Sequence, residues 1–140
     1  MRSVLFAAAF LAASTTLACA ADIPKDIATE LAKTDTTITG EKIVVPPNPT
    51  VIATTVTFAP GRVLKVHKHP YPHYCYVLDG DWTVVDADTG KNTVFHKGQF
   101  YAETNAHWHS GRNDTNVSTT LLVIDQIPAG TDGNTIYKDQ

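Results

Sequence analysis

The sequence predicts an all-β, single-domain protein, a barrel or jelly roll with a short helix at its N-terminus. From Thr34 onward threonine, valine and isoleucine dominate, and turn residues interrupt the chain every eight to twelve positions. Short strands at that spacing are typical of a closed barrel or a jelly roll. A length of 140 residues provides one hydrophobic core and no more than one domain.

The first twenty residues have the features of an export signal. Arg2 provides a positive start, residues 4–13 form an unbroken apolar run, and Ala18-Cys19-Ala20 offers small residues for cleavage. The apolar run is about half the length that a membrane-spanning helix needs. We therefore expect residues 1–20 to be removed and the mature protein to be periplasmic or secreted, with no membrane partner. A lipid anchor on Cys19 is the alternative.

Removal of residues 1–20 changes both the charge and the cysteine content. Lys plus Arg falls from 11 to 10 against 14 acids, so the net charge moves from −3 to 10 − 14 = −4. An acidic chain without a basic cluster argues against nucleic acid as a partner. Of the two cysteines only Cys75 remains, so no internal disulfide is expected.

The mature chain is expected to begin with a helix and to continue as strands. Asp22 suits the N-cap of a helix over residues 22–33, in which Ile27 and Leu31 share one apolar stripe. Asp79-Gly80 predicts a two-residue hairpin between the strands on either side of it. The predicted strands cover residues 50–58, 63–69, 73–78, 82–86, 93–96, 100–102 and 119–124.

These elements divide the chain into four segments. They are the signal peptide (1–20), the N-terminal helix and lead-in (21–40), the barrel (41–128) and a C-terminal tail (129–140) that looks irregular. The sequence contains no internal repeat and no low-complexity linker.

All six histidines lie between positions 67 and 109. His67 and His69 fall on a predicted strand, where residues two apart face the same side with Cα atoms ~6.6 Å apart. Two imidazoles placed in this way can converge on one metal ion. A single His-x-His pair often occurs without a metal, so the residues around it decide its meaning.

Around these histidines the sequence resembles the cupin superfamily. The first cupin motif runs glycine, histidine, histidine, glutamate and glycine at fixed spacings. Its positions are occupied here by Gly61, His67, His69, His73 and Gly80. Histidine therefore stands at position 73, where the family usually has glutamate. The second motif runs glycine, proline, glycine, histidine and asparagine, and its positions are occupied by Gly98, Thr104, Ala106, His109 and Asn113.

The resemblance implies a cupin-type barrel that holds one divalent transition metal through His67, His69, His73 and His109. The first three ligands belong to the first motif, and His109 is expected to come from across the sheet. If His73 merely occupies its slot, the site has three histidine ligands instead. Imidazole ligands favour iron, copper, zinc or nickel, whereas manganese prefers oxygen ligands and is expected less.

Four further residues near the motifs are candidates for chemistry. Glu103 and Tyr101 alternate on one face before the second motif, and either could supply the acid/base function that position 73 lacks. His107 would share a strand face with His109 and is a candidate proton carrier. Each of these three catalytic candidates is alternatively a solvent-facing or merely hydrogen-bonded residue. Cys75 is either a small apolar filler or a thiol inside the cavity.

The resemblance implies an exported metal-dependent enzyme of the quercetin-dioxygenase-like kind, acting on a small organic substrate. Iron or copper would indicate a dioxygenase-like oxidoreductase, and zinc or nickel a lyase or an isomerase. The alternative is a non-catalytic periplasmic protein that binds a metal or a small ligand, which a closed four-histidine site would favour. Cupins commonly dimerise, so a homodimer stands beside the small-molecule substrate among the expected partners.

Overall fold

The structure, a computed structural model, describes residues 26–139. Within this range the chain forms β-strands and no helix, and therefore no helix long and apolar enough to cross a membrane. The strands are β1 (Pro49–Phe58), β2 (His67–Lys68), β3 (His73–Asp79), β4 (Asp81–Asp86), β5 (Asn92–His96), β6 (Phe100–Ala102), β7 (His109–Arg112), β8 (Thr119–Pro128) and β9 (Ile136–Tyr137).

The strands form two antiparallel sheets, as the sequence predicts for a barrel or jelly roll. One sheet has the strand order β1-β8-β3-β6 and the other has the order β5-β4-β7-β2-β9. The longest ladder joins β1 to β8 in continuous register from Pro49 opposite Pro128 to Phe58 opposite Thr119. The threonine- and valine-rich sequences of these two strands suit a pleated surface.

Side chains from both sheets meet in one hydrophobic core. Along the first half of β8, buried residues alternate with half-buried ones, as in a strand with one face turned inward. Phe58 stacks on Trp82 with ring centroids 4.2 Å apart. Because the core residues come from β3, β4, β6 and β8, the core joins the two sheets. They are Cys75, Val77, Trp82, Val84, Tyr101, Leu121 and Val123.

The Asp79-Gly80 turn is a corner between the sheets, so the predicted hairpin is wrong. The strand before the turn, β3, pairs with β6 and β8, whereas the strand after it, β4, pairs with β5 and β7. Gly80 has a φ of +74°, and a Cβ there would lie 2.8 Å from Thr119 Oγ1. Glycine therefore permits the close approach at which the chain changes sheets.

Two other strand predictions also need correction. The strand predicted over residues 63–69 shrinks to His67–Lys68, with two isolated bridges, one between Val63 and Arg112 and one between His69 and Asn105. The tail, expected to be irregular, contributes β9, which pairs with β2.

The predicted N-terminal helix is wrong over residues 26–33, while residues 22–25 lie outside the described part of the chain. Residues 26–33 have no regular secondary structure, and Ile27 is 91% exposed. The apolar stripe therefore lacks a surface to pack on. A helix of about a dozen residues is marginal in water without such packing.

We expect Gly111→Ala to destabilise the fold by about 1–3 kcal/mol, because overpacking a filled core forces neighbouring atoms apart. Gly111 lies on β7, and a Cβ there would be 2.3 Å from Cζ2 of the buried Trp82 ring. Chemical denaturation measures the change. Gly133→Ala is the matched control, because a Cβ at Gly133 meets nothing within 4 Å. Equal stabilities for the two variants would contradict this account of the packing.

Candidate metal centre

Three buried imidazoles meet where β2 pairs with β7. His67 lies directly opposite His109 in the antiparallel register, and His69 follows immediately after β2. The ring centroid of His67 is 5.0 Å from that of His69 and 4.5 Å from that of His109. One ring nitrogen from each lies within 4.8 Å of the others. His109 therefore comes from the neighbouring strand of the same sheet.

Each of these three rings is anchored through Nδ1 to a backbone carbonyl. A carbonyl only accepts, so Nδ1 carries the proton and Nε2 carries the free lone pair. This is the arrangement by which proteins orient histidine ligands toward a metal. The Nδ1 atoms of His67, His69 and His109 lie 2.7, 2.6 and 3.0 Å from the carbonyl oxygens of Lys65, Asn134 and His107.

The residues present fit a divalent transition metal. The Nε2 atoms of His69 and His109 are buried and have no hydrogen-bond partner within residues 26–139. Burial lowers the pKa of His67, and burial followed by the neighbouring His73 lowers that of His69 to about 2. Both rings are therefore neutral at physiological pH, which is the state that binds metal. Unpartnered lone pairs on neutral imidazoles suit zinc, copper, iron and nickel.

His73 reaches the same place from the other sheet, on β3. Its ring stacks on that of His69, with centroids 3.8 Å apart and planes at 2°. Its Nδ1 lies 2.7 Å from Asp125 Oδ1. Burial opposes a charged ring, but the hydrogen bond with Asp125 and the nearby Glu103 raise the pKa of His73 well above its ordinary value. Without a metal, His73 is therefore a cation paired with a carboxylate.

Glu103 lies beside three of the four histidines, His69, His73 and His109. It is buried, and its backbone N–H donates to the carbonyl of His73 over 2.8 Å. One carboxylate oxygen is 3.4 Å from His73 Nε2 and 3.9 Å from His69 Nε2. The other is 3.4 Å from His109 Nε2.

The possible metal ligands accordingly form two overlapping groups that share His69. One contains His67, His69 and His109, and the other contains His69, His73 and Glu103. The single four-histidine cluster stays a prediction, because the first group consists of His67, His69 and His109 and does not include His73.

A cavity of about 560 Å³ adjoins the histidines and extends between the sheets. Pockets of this size bind small organic molecules. Arg62 and Lys65 contribute two cationic side chains to its lining. Apolar residues form much of its wall, namely Val56, Phe58, Leu64, Trp82, Leu121 and Val123.

A family model described as "Cupin domain" matches residues 54–125, just over half of the 140-residue chain. The chain belongs to the cupin family. The match contains all four motif histidines and the half of the β1–β8 ladder from Thr54 opposite Val123 to Phe58 opposite Thr119. No curated protein sequence matches the chain.

Solved structures support the cupin fold. The polyketide cyclase RemF from Streptomyces resistomycificus has a TM-score of 0.54 and 18% identity, over 64% of this chain and 61% of its own. The DMSP lyase DddQ from Ruegeria pomeroyi DSS-3 has a TM-score of 0.53 and 16% identity, over 63% and 43%. An oxalate oxidase in complex with the substrate analogue glycolate has a TM-score of 0.51 and 21% identity, over 63% and 46%. This cupin spans less than two thirds of each of these proteins, so the similarity shows the fold.

Of the three residues predicted to be catalytic, the structure brings only Glu103 to the cavity of this cupin. Tyr101 packs in the core against Phe95, and burial raises the pKa of its phenol well above the ordinary value, so it stays protonated. His107 precedes β7 on a bent segment, and its exposed ring pairs with Glu41 at 2.9 Å. The extended conformation that would align it with His109 is absent. Neither Tyr101 nor His107 lines the cavity, and their predicted catalytic roles stay predictions.

Both interpretations of Cys75, a small apolar filler and a thiol inside the cavity, agree with its position. Its side chain belongs to the hydrophobic core and also lines the cavity. Its Sγ lies 3.8 Å from a Glu103 oxygen. Burial raises the pKa of the thiol, so it remains neutral at physiological pH.

Two residues that support the site fall outside the sequence prediction. Asn134, in the tail, donates from Nδ2 to Asp125 Oδ1 over 2.7 Å, while its backbone carbonyl anchors His69. Asp125 in turn holds His73. Neither has a motif signature, because an aspartate late in a strand and an asparagine in a glycine-containing tail are common.

We predict that the metal-free protein is most stable near pH 6.5, the ordinary pKa of histidine. Below that value the unfolded chain protonates His69 but the folded chain does not, so stability falls as the pH falls, by up to about 1.4 kcal/mol per unit. Above it the folded chain keeps the proton on His73 that the unfolded chain loses, so stability falls as the pH rises. Urea denaturation in chelator from pH 5 to 8.5 measures both limbs.

His73→Gln should remove the alkaline limb and leave the acid limb. The control is His96→Gln, because that ring is exposed and pairs with Asp81 away from the cavity. A stability that rises steadily from pH 5 to 8.5 in the wild type would contradict the two histidine assignments.

Proposed function

We propose that this cupin is a metal-dependent enzyme that acts on a small organic anion in the cavity between its sheets. The observation that carries the proposal is the convergence of three carbonyl-anchored imidazoles, His67, His69 and His109, of which His67 and His69 line that cavity. A divalent metal there would supply Lewis acidity or a site for oxygen activation. The protein supplies neutral nitrogen ligands and a partly apolar chamber.

The cavity favours an enzyme over the alternative of a closed metal-binding protein. A structural site surrounds its ion with protein ligands, whereas a catalytic site keeps one position open to substrate. Here three imidazoles form one compact group, and space for a small molecule lies beside them. The proposed substrate therefore reaches the metal directly.

The lining indicates the chemistry of the substrate. Arg62 and Lys65 line the cavity, and within residues 26–139 neither takes part in an ion pair. The acidic residues of the lining, Glu103 and Asp125, already contact histidines. The free charge in the cavity is thus positive, and much of the remaining wall is apolar. A carboxylate or enolate with an apolar body matches both features.

Oxygen chemistry of the dioxygenase kind is the reaction that we propose for this site. Imidazole ligands suit iron and copper, the metals that support it. His73, held by Asp125, presents its Nε2 to the cavity region and is suited to exchange a proton with the substrate. Asp125 orients that ring, and Asn134 orients Asp125.

The features of residues 1–20 support a further part of the proposal, which concerns location. We propose that the mature protein works in the periplasm or outside the cell. It would bind its metal and its substrate in that compartment.

The test is an assay of iron-, copper- and zinc-loaded protein with phenylpyruvate, flavonols and small diketones. We expect oxygen consumption that requires both the metal and one class of substrate, with a new product detected by mass spectrometry. The double variant Arg62→Gln/Lys65→Gln should raise KM at least about fivefold and change kcat less, because it removes binding charge away from the metal. Lys33→Gln, on the exposed lead-in, is the control and should change neither constant.

Two results would contradict the proposal. Slow oxygen consumption that is the same without substrate in every metal form, together with tight retention of an added ligand, would identify a binding protein. An equal KM in the double variant and the control would refute the assignment of an anionic substrate.

A further inference from the structure

We infer that Glu103 is the fourth metal ligand and supplies the carboxylate that the first cupin motif lacks at position 73. This assignment rests on the proposed metal site at His67, His69 and His109. The carboxylate is the one side chain whose two oxygens reach both groups of histidines, one toward His109 and the other toward His69 and His73.

The distances fit a shared ion better than hydrogen bonds. The carboxylate oxygens lie 3.4 Å from His109 Nε2 and 3.4 Å from His73 Nε2. Hydrogen bonds between nitrogen and oxygen are about 2.7–3.2 Å long. Two ligand atoms about 2.1 Å from one ion at tetrahedral angles lie about 3.4 Å apart. The spacing between Glu103 and His109 is therefore that of two ligands of one metal.

The charges support the same assignment. Glu103 is 5% exposed, and within residues 26–139 its ion-pair contacts are all to histidines. A buried carboxylate needs a compensating charge, and the nearby His73 ring is already hydrogen-bonded to a second carboxylate, Asp125. A divalent ion held only by imidazoles likewise has no anion to balance it. One carboxylate beside one metal answers both needs.

The backbone places residues 73 and 103 side by side, so a carboxylate at either position starts next to the same group of histidines. Residues 73 and 103 are linked by a hydrogen bond from the Glu103 N–H to the His73 carbonyl, at the point where β3 and β6 pair. Their side chains therefore start from adjoining positions. In this chain the residue on β3 is His73, and the carboxylate belongs to Glu103, directly after β6. In a site with glutamate at position 73 the carboxylate would instead lie on β3.

The relocated carboxylate revises the expected metal. A site of three imidazoles and one carboxylate takes manganese and iron more readily than a site of four imidazoles, because these ions favour oxygen ligands more than zinc or copper does. Removal of the carboxylate should consequently harm manganese binding more than zinc binding. A purely structural role for Glu103 would weaken both to the same extent.

The experiment measures zinc and manganese affinity by competition with chelators for the wild type, Glu103→Gln, His73→Gln and the double variant Glu103→Gln/His73→Glu. Glu103→Gln should bind manganese at least about tenfold more weakly, a loss comparable to or larger than that seen when residues behind a ligand are changed. Its zinc affinity should fall less. The double variant should recover most of the manganese affinity, because it returns a carboxylate to position 73. Glu30→Gln, on the exposed lead-in, is the control.

The outcomes separate this assignment from the proposed metal site. A wild type that binds neither metal overturns both. Metal binding by the wild type, with Glu103→Gln within about threefold of it for both metals, overturns the role of Glu103 alone. A tenfold loss in His73→Gln but not in Glu103→Gln would instead make His73 the fourth ligand.

Should Glu103→Gln fail to fold, as judged by circular dichroism, the wild type decides the question. In a crystal structure of the zinc-loaded wild type, a Glu103 oxygen about 2.0–2.2 Å from the ion supports the assignment. A separation of more than about 3 Å overturns it.

Discussion

The hydrogen bonds between Nδ1 of three histidines and backbone carbonyls are the interaction on which the site depends. Because each carbonyl accepts a hydrogen bond from Nδ1–H, each imidazole is fixed in one tautomer with its Nε2 lone pair free. Burial then lowers the pKa of His67 and His69 and keeps those rings neutral. Metal affinity and ring orientation thus both follow from the backbone just before β2, just before β7 and in the tail.

The charged half of the site comes from the other sheet. His73 on β3 is held by Asp125 on β8, and Glu103 beyond β6 reaches toward both His73 and His109. Asn134 links the halves, since its carbonyl anchors a ring of the neutral group and its side chain anchors Asp125. The tail therefore positions the chemistry as well as closing the sheet.

Sequence patterns predicted the features that depend on local spacing. Alternation along a strand predicted that His67 and His69 face the same side, and both residues line one cavity. The motif spacings led to the cupin family, which the family match confirms. Local patterns could not predict features that depend on pairing between segments far apart in the sequence. The partner of a strand is decided by the packing of two sheets, so the position of His109 and the contribution of Asn134 had no local signal. Asp79-Gly80 has the composition of a hairpin, yet its strands belong to different sheets.

The most direct test of the anchored-imidazole account is a long-range ¹⁵N–¹H NMR spectrum of the histidine side chains, recorded without metal at pH 7.5 and again after addition of one equivalent of zinc. His67, His69 and His109 should each show the Nδ1–H tautomer without metal, and zinc should shift their Nε2 resonances together. Any of these rings found with its proton on Nε2, or unmoved by zinc while the protein remains folded, would contradict the account.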